Sequence, residues 1–374
     1  MKITRTWAQS LFRRMGFTRR VATTAKVPIP DKTRKEIELV FMHKIVQKVE
    51  KYNIPDSLII NIDQTPSKYV PVSKSTLAKK GSKKVPIAGS NDKRTITATF
   101  SETLDGRFLP PQLIYKGKTA RSIPKIVFPK GFSLSANEKH HSNTQESIKL
   151  LEEVIVPYVQ EERKFFLKDD QKALIIWDVF RGQKTDEVIN FMEENNLTTE
   201  YVPNNLTAHY QPLDCTTNKW AKDFTKRKFS TWYAKQIRDN VEKGISLEEI
   251  DVNFQLTTMK PLHAHWMIEL YDHLTSPSGK DIIINGWKQS GIFDAIKLGS
   301  AALPSLNPFQ SLDPLDSLDS LTLFDTPPSA ANLEYDGKEV EEKEASDDES
   351  EDSEWEIDFD FGDGNAFDNF DDEE

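Results

Sequence analysis

The chain has 374 residues, 37% of them hydrophobic, with a single cysteine and a formal net charge of −10. That cysteine, Cys215, excludes an internal disulfide and fits a reducing compartment. No run approaches the roughly eighteen apolar residues of a transmembrane helix, and the opening "MKITRTWAQSLFRRMGF" lacks the apolar stretch of a secretory signal. The charge is uneven: residues 334–374 hold 21 Asp and Glu against two Lys, a net of −19, which leaves +9 on residues 1–333 (−10 minus −19). A basic body with an acidic tail fits nucleic acid as the partner of the body.

Taken in chain order, residues 6–17 place Trp7, Leu11 and Met15 four apart, predicting a short amphipathic helix. "TRRVATTAKVPIP" reads as a basic extended connector, and residues 31–52 as a second helix with Ile37, Val40, Phe41, Ile45 and Val49 on one face. "LIINIDQTP" predicts a buried strand over 58–63 that ends at Asp63, with a turn at Pro66. "RTITATFSETLDGRFLPPQLIYKG" holds two β-rich runs around Asp105-Gly106, a hairpin signal. Residues 144–160 read as a helix that Pro157 ends or kinks. "KALIIWDV" is a second buried strand closing on an acid, Asp178; "EVINFMEENN" is a helix, "TTEYVPNN" a strand, and 214–237 one long helix. Beyond about residue 298 the repeated Leu-Asp units and prolines read as a linker, and the tail as disordered by composition.

Asp63 ends one strand, Asp178 ends another, and Asp214 opens the helix after the next strand. Open α/β sheets gather such strand ends at one edge, where sites are built. Acids brought together repel, and cations offset the repulsion; carboxylate oxygens suit Mg²⁺ or Mn²⁺. Two such ions can clamp the attacking and leaving oxygens of a phosphodiester. The alternative from spacing alone is that these acids are helix caps or loop residues.

The stretches "NIDQTP", "DGRFLPPQLIYKGK", "IIWDVFRGQKT", "VPNNLTAHYQPLDCTTNKWAKDF" and "KPLHAHWMIELYDHL…IIINGWKQSGI" follow one another over roughly residues 55–295. Together they resemble the catalytic domain of pogo-type transposases, the DDE endonuclease family shared with Tigger and jerky elements and with centromere protein B. The resemblance implies an RNase H-like fold: a mixed β-sheet flanked by helices, with an acidic tail outside it. It implies metal-dependent DNA phosphodiester hydrolysis and strand transfer with two Mg²⁺ or Mn²⁺ ions. It assigns the three catalytic, metal-holding acids to Asp63, Asp178 and Asp214, all of which are acidic here.

Around these acids, Gln64 and Thr65 are either hydrogen-bonding support for the carboxylate or phosphate, or a plain strand-to-turn transition. Gln211 precedes Pro212, which suits the first turn of a helix. Asn218 and Lys222 lie four and eight residues beyond Asp214; Lys222 either reaches a scissile-strand phosphate or is a solvated helix lysine. Gln183, with Arg181 and Lys184, either touches DNA or lies in an exposed loop. "KKGSKKVPIAGSNDKR", with Lys83 and Lys84, lacks P-loop spacing. It is a phosphate-contacting segment, part of a nuclear localisation signal, or a solvated loop. Histidines 140, 141, 209, 263 and 265 form no zinc pattern with cysteine.

Members of the family usually carry two N-terminal helix-turn-helix modules. Here "TWAQSLFRRMGFTRR" resembles only the last helix and exit of the second, so the chain reads as N-terminally truncated. The expected organisation is a helix-turn-helix remnant and basic linker at 1–25, a helical lead-in at 26–57, the endonuclease domain at 58–298, a linker at 299–333 and a disordered acidic tail at 334–374. In the tail, Trp355, Phe359, Phe361, Phe367 and Phe370 alternate with acids. That pattern fits a protein-binding segment, a phosphate mimic folded onto the basic body, or a solubilising tail. Ser346 and Ser353 each precede an acid by three residues, as acidophilic kinases require. The expected partner is DNA, in the nucleus, with no membrane and with oligomers compatible. The alternative is a domesticated, non-catalytic nuclear DNA-binding or regulatory protein.

Overall fold

The computed structural model describes residues 5–15, 31–72, 88–89, 91–138, 143–166, 168–178, 185–203, 207–247 and 249–304. The basic connector, the segment around Lys83 and Lys84, the loop holding Gln183, His140 and His141, and the chain from residue 305 onward lie outside the described residues. Two helices open the chain, α1 (Arg5–Arg14) and α2 (Asp31–Tyr52), followed by strand β1 (Ile59–Lys68). Strands β2 (Thr95–Thr103), β3 (Gln112–Lys116) and β4 (Ser133–Asn137) come next, then helices α3 (Thr144–Leu150) and α4 (Val156–Phe166). Strand β5 (Ala173–Asp178), helix α5 (Asp186–Glu194) and strand β6 (Leu197–Val202) complete the sheet. The remaining helices are α6 (Thr207–Tyr210), α7 (Pro212–Cys215), α8 (Thr217–Glu242), α9 (Leu256–Leu274), α10 (Pro277–Gln289) and α11 (Ile292–Leu298). All of these elements fall in one compact unit.

The six strands run in the order β4-β3-β2-β1-β5-β6. β1 is antiparallel to β2 and β2 to β3, whereas β1–β5, β5–β6 and β3–β4 are parallel. A three-strand meander that crosses over to add parallel strands on the far side of β1 is the RNase H-like arrangement, here with β4 as a further edge strand. β1 and β5 sit in the middle, covered on both faces, and their residues Ile59, Ile60, Ile62, Leu174, Ile175, Ile176 and Trp177 are fully buried. This is why both read as apolar runs, broken in β1 only by Asn61, rather than alternating ones. Phe41, Met42, Ile45 and Val46 of α2 join the same core.

Three expectations are corrected. The first strand does not stop at Asp63: β1 runs on to Lys68, with Pro66 opposite Thr97 of β2. Pairing with β5 covers only Ile59–Ile62, so beyond Asp63 the strand has one paired side and a proline costs no ladder bond on the other. The helix at 144 is not ended by Pro157, the first of the two alternatives. A wide π turn over Leu151–Ile155 precedes the proline, and the helix resumes to Phe166. Such a turn accommodates a ring that lacks an N–H and would press on the preceding turn. The long helix from 214 is two pieces: α7 closes at Cys215, Thr216 leaves helical geometry at φ −136°, and α8 begins at Thr217. The Asp105-Gly106 turn is present, with Gly106 at φ +89°, where the absence of a Cβ is required. β4, a short strand of Ser, Leu, Ser, Ala and Asn, had no strong sequence signal.

Candidate active site

Asp63 occupies the point where the centre of the sheet opens. β1 and β5 are in register through Ile62 opposite Trp177, so Asp63 and Asp178 occupy the next position on each strand. Neighbouring strands lie about 4.8 Å apart, and paired positions of a sheet project to one face. α7 brings the third acid. Pro212 stands in its first turn, preset for a helix start, and Asp214 follows two residues later. Asn218, in the first turn of α8 and almost fully buried, donates from Nδ2 to Oδ2 of Asp63 and to Oδ1 of Asp214, the latter at 2.9 Å. One amide thus spans two carboxylates that would otherwise face each other unscreened.

The Asp63 carboxyl is pushed up to about 8, by burial first, then by the charge of Asp214, with a smaller push from Asp178, against the lowering effect of the Gln64 backbone N–H and the Asn218 amide. Asp63 therefore lies in a field that asks for positive charge. The Cys215 thiol is pushed up to about 11, by burial first and then by Asp214 and Glu102.

The expected supporting residues separate into groups. Gln211 is buried, and its Nε2 donates to the Ile62 carbonyl at 3.3 Å, one residue from Asp63. Thr65 is buried two residues beyond Asp63, and lines a narrow cleft with Lys222, whose side chain is exposed. Gln64 serves Asp63 through its backbone N–H. Gln183, Lys83 and Lys84 lie outside the described residues.

Sequence reasoning missed two residues here. Asn61 is fully buried in β1; its Nδ2 donates to the Ile176 carbonyl at 2.8 Å and its Oδ1 accepts from the Leu213 N–H at 3.0 Å. Glu102, directly opposite Asn61 on β2, is fully buried and accepts from the Thr217 hydroxyl at 2.7 Å. Burial pushes the Glu102 carboxyl up to about 8. The available signal was a polar residue inside "LIINID" and an acid inside "TATFSET", each in a run otherwise suited to the core.

The chemistry of this donor set fits a divalent cation: carboxylate oxygens, no sulfur, and an acid pair in need of positive charge. Asp63 and Asp214 already converge on one polar group, and Asp178 stands one strand away. Among the described residues, no three His, Cys, Asp or Glu side chains stand close enough to enclose an ion as they sit.

A family model described as "DDE superfamily endonuclease" matches residues 93–302, more than half of the chain. The chain belongs to the DDE superfamily endonuclease family. Asp178 and Asp214 of this DDE endonuclease lie inside the matched segment, and Asp63 lies before it. A human protein, "Pogo transposable element with KRAB domain", is 26% identical over 201 residues, covering 53% of this chain and 31% of its own length. The mouse protein of the same description is 25% identical over the same span. The chain therefore spans about a third of the length of these curated relatives. Among solved structures, a pre-cleavage Mos1 transpososome is 10% identical, with 82% of this chain and 72% of that chain covered and a TM-score of 0.46. The Mos1 transposase catalytic domain with Raltegravir and Mn is 11% identical, with 75% and 100% covered and a TM-score of 0.38. No described helix is long and apolar enough to cross a membrane.

Proposed function

We propose that this chain is a transposon-derived DDE endonuclease that cuts DNA phosphodiesters and transfers the freed 3′ end to a target, using two divalent ions held by Asp63, Asp178 and Asp214. The observation that carries the reading is the convergence of Asp63 and Asp214 on the Asn218 amide, with Asp178 on the adjoining strand at the same sheet edge. A bound Mg²⁺ or Mn²⁺ supplies Lewis acidity to the phosphodiester and generates a nucleophile from water at neutral pH. The chain's own residues do the rest. Asp63 and Asp214 present oxygens toward a common point, and Asn218 sets their orientation. Lys222 is exposed and lines the cleft, which supports a contact with a backbone phosphate. Water adds to phosphorus and gives up a proton as the 3′ oxygen leaves and takes one up; in the second step that 3′ hydroxyl, losing its proton, attacks a target phosphorus and displaces the target strand's own 3′ oxygen, which is protonated in turn. The catalytic unit is taken as 58–298, with the helical lead-in before it and the acidic tail after it. A DNA substrate implies work in the nucleus, and joining two transposon ends implies more than one copy of the chain.

The test is Mn²⁺-dependent nicking of supercoiled plasmid by the wild type beside Asp178→Ala, with and without the tail removed at about residue 300. The expected result is nicking by the wild type that the substitution abolishes. Equal nicking by the two proteins refutes the assignment of Asp178, and folded wild type that never nicks refutes the nuclease reading.

A further inference from the structure

We infer that Asn61 is the positioning residue of the acid cluster and that, with Glu102, it forms a two-point polar mount for the segment that carries Asp214 and Asn218. The inference rests on the reading of Asp63, Asp178 and Asp214 as the ion-holding set. Asn61 lies two residues before Asp63 and is fully buried beside Ile60 and Ile62. Its Nδ2 donates to the carbonyl of Ile176, two residues before Asp178, and its Oδ1 accepts from the N–H of Leu213, one residue before Asp214. One side chain therefore joins the three stretches of backbone that bear the three acids, although they are far apart in sequence.

The second point lies directly across the strand pair. Asn61 and Glu102 are partners in the β1–β2 register. Glu102 Oε2 accepts from the hydroxyl of Thr217, the residue before Asn218. The two anchors thus lie on either side of Thr216, where the helix breaks. α7 has four residues and too few internal hydrogen bonds to fix its own position. Its place is set from outside, and Asp214 moves with it.

A packing role alone does not account for this arrangement. The neighbours of Asn61 on β1 are isoleucines, and an apolar side chain would fill the position without desolvating an amide. The amide is worth its cost through the two backbone groups it satisfies. Those groups belong to the elements whose spacing decides whether three carboxylates can share ions. Outer residues that orient ligands typically cost 10–100-fold in metal affinity or activity when removed, and productive sites tolerate only about 0.5 Å of misplacement.

The experiment uses the full chain as wild type, Asn61→Ala, Thr217→Val and Thr217→Ser. Mn²⁺ binding is followed by calorimetry, plasmid nicking is resolved into kcat and KM, and amide exchange is read at Leu213, all well below each variant's melting temperature. Asn61→Ala is expected to bind Mn²⁺ about 10-fold more weakly, to lose about 10–100-fold in kcat, to leave KM for DNA within about 3-fold, and to exchange faster at Leu213. Thr217→Val is expected to show a smaller loss of the same kind, about 3–10-fold, which Thr217→Ser restores by returning the hydroxyl. A folded Asn61→Ala with wild-type Mn²⁺ affinity and kcat overturns the proposal. If Asn61→Ala does not fold, the threonine pair decides it, and equal affinity and kcat for Thr217→Val and Thr217→Ser overturn it. Folded wild type that neither binds Mn²⁺ nor nicks overturns the nuclease reading and this inference with it. A wild type that does both beside an equally competent Asn61→Ala overturns the inference alone.

Discussion

Replacing Glu102 by Gln isolates the cost of a buried acid beside the site. Glu102 has no measurable exposure, sits on β2 opposite Asn61, and accepts one hydrogen bond, from Thr217. Burial first, with a smaller push from the charge of Asp63 and against the Thr217 hydrogen bond, raises its carboxyl from an ordinary 4.5 to about 8. The folded protein therefore holds this proton more tightly than the unfolded chain does. The group's contribution to stability is fully present below about pH 4.5 and is lost as the pH rises to about 8. A rise of about 3.5 pH units at about 1.4 kcal/mol each sets a ceiling near 5 kcal/mol at pH 8. Local relaxation and water entry reduce what is seen to about 2 kcal/mol. Glu102→Gln keeps the shape and the acceptor for Thr217 but cannot ionise. Without divalent ions, its melting temperature should match wild type at pH 5 and exceed it at pH 8 by about 4–8 °C. The assay is thermal unfolding followed by circular dichroism in EDTA at both pH values. A wild type and variant that differ equally at pH 5 and pH 8 would show that Glu102 does not titrate in this window, and the argument from burial would fall.

Asn218→Ala removes the amide shared by Asp63 and Asp214; plasmid nicking should fall about 10–100-fold, and an unchanged rate would refute its orienting role. Gly286→Ala tests the approach of α10 to α7. A Cβ there would lie 2.5 Å from Thr216 Oγ1 and 2.7 Å from the Pro212 carbonyl oxygen. The backbone must shift, so a loss of about 1–3 kcal/mol in chemical denaturation is expected together with slower nicking. A wild-type unfolding midpoint would refute it. Lys222→Ala should weaken DNA binding alike for different sequences and lower the slope of log affinity against log salt by about 1. A change confined to one sequence would contradict a phosphate contact.

Much of this protein was legible in local pattern. The largely apolar runs of β1 and β5 announce central strands, since a strand covered on both faces has no polar side to show. The Asp105-Gly106 turn is written in the conformational freedom of glycine, and α2 in its apolar spacing. Asp178 closes β5, as its apolar run announces, whereas Asp63 lies midway along β1 and Asp214 inside the short α7. Other features were not legible. The extension of β1 past Asp63, the π turn ahead of Pro157 and the break at Thr216 depend on which neighbours share the backbone's hydrogen bonds, and those neighbours are far away in sequence. Asn61 and Glu102 carry no motif of their own, and their partners on β5, α7 and α8 are far away in sequence. The sequence by itself put forward the three acids, most of the strands and the family. The tertiary structure alone decided which buried amide and which buried carboxyl hold those acids together, because partners more than a hundred residues apart are chosen by packing and not by spacing.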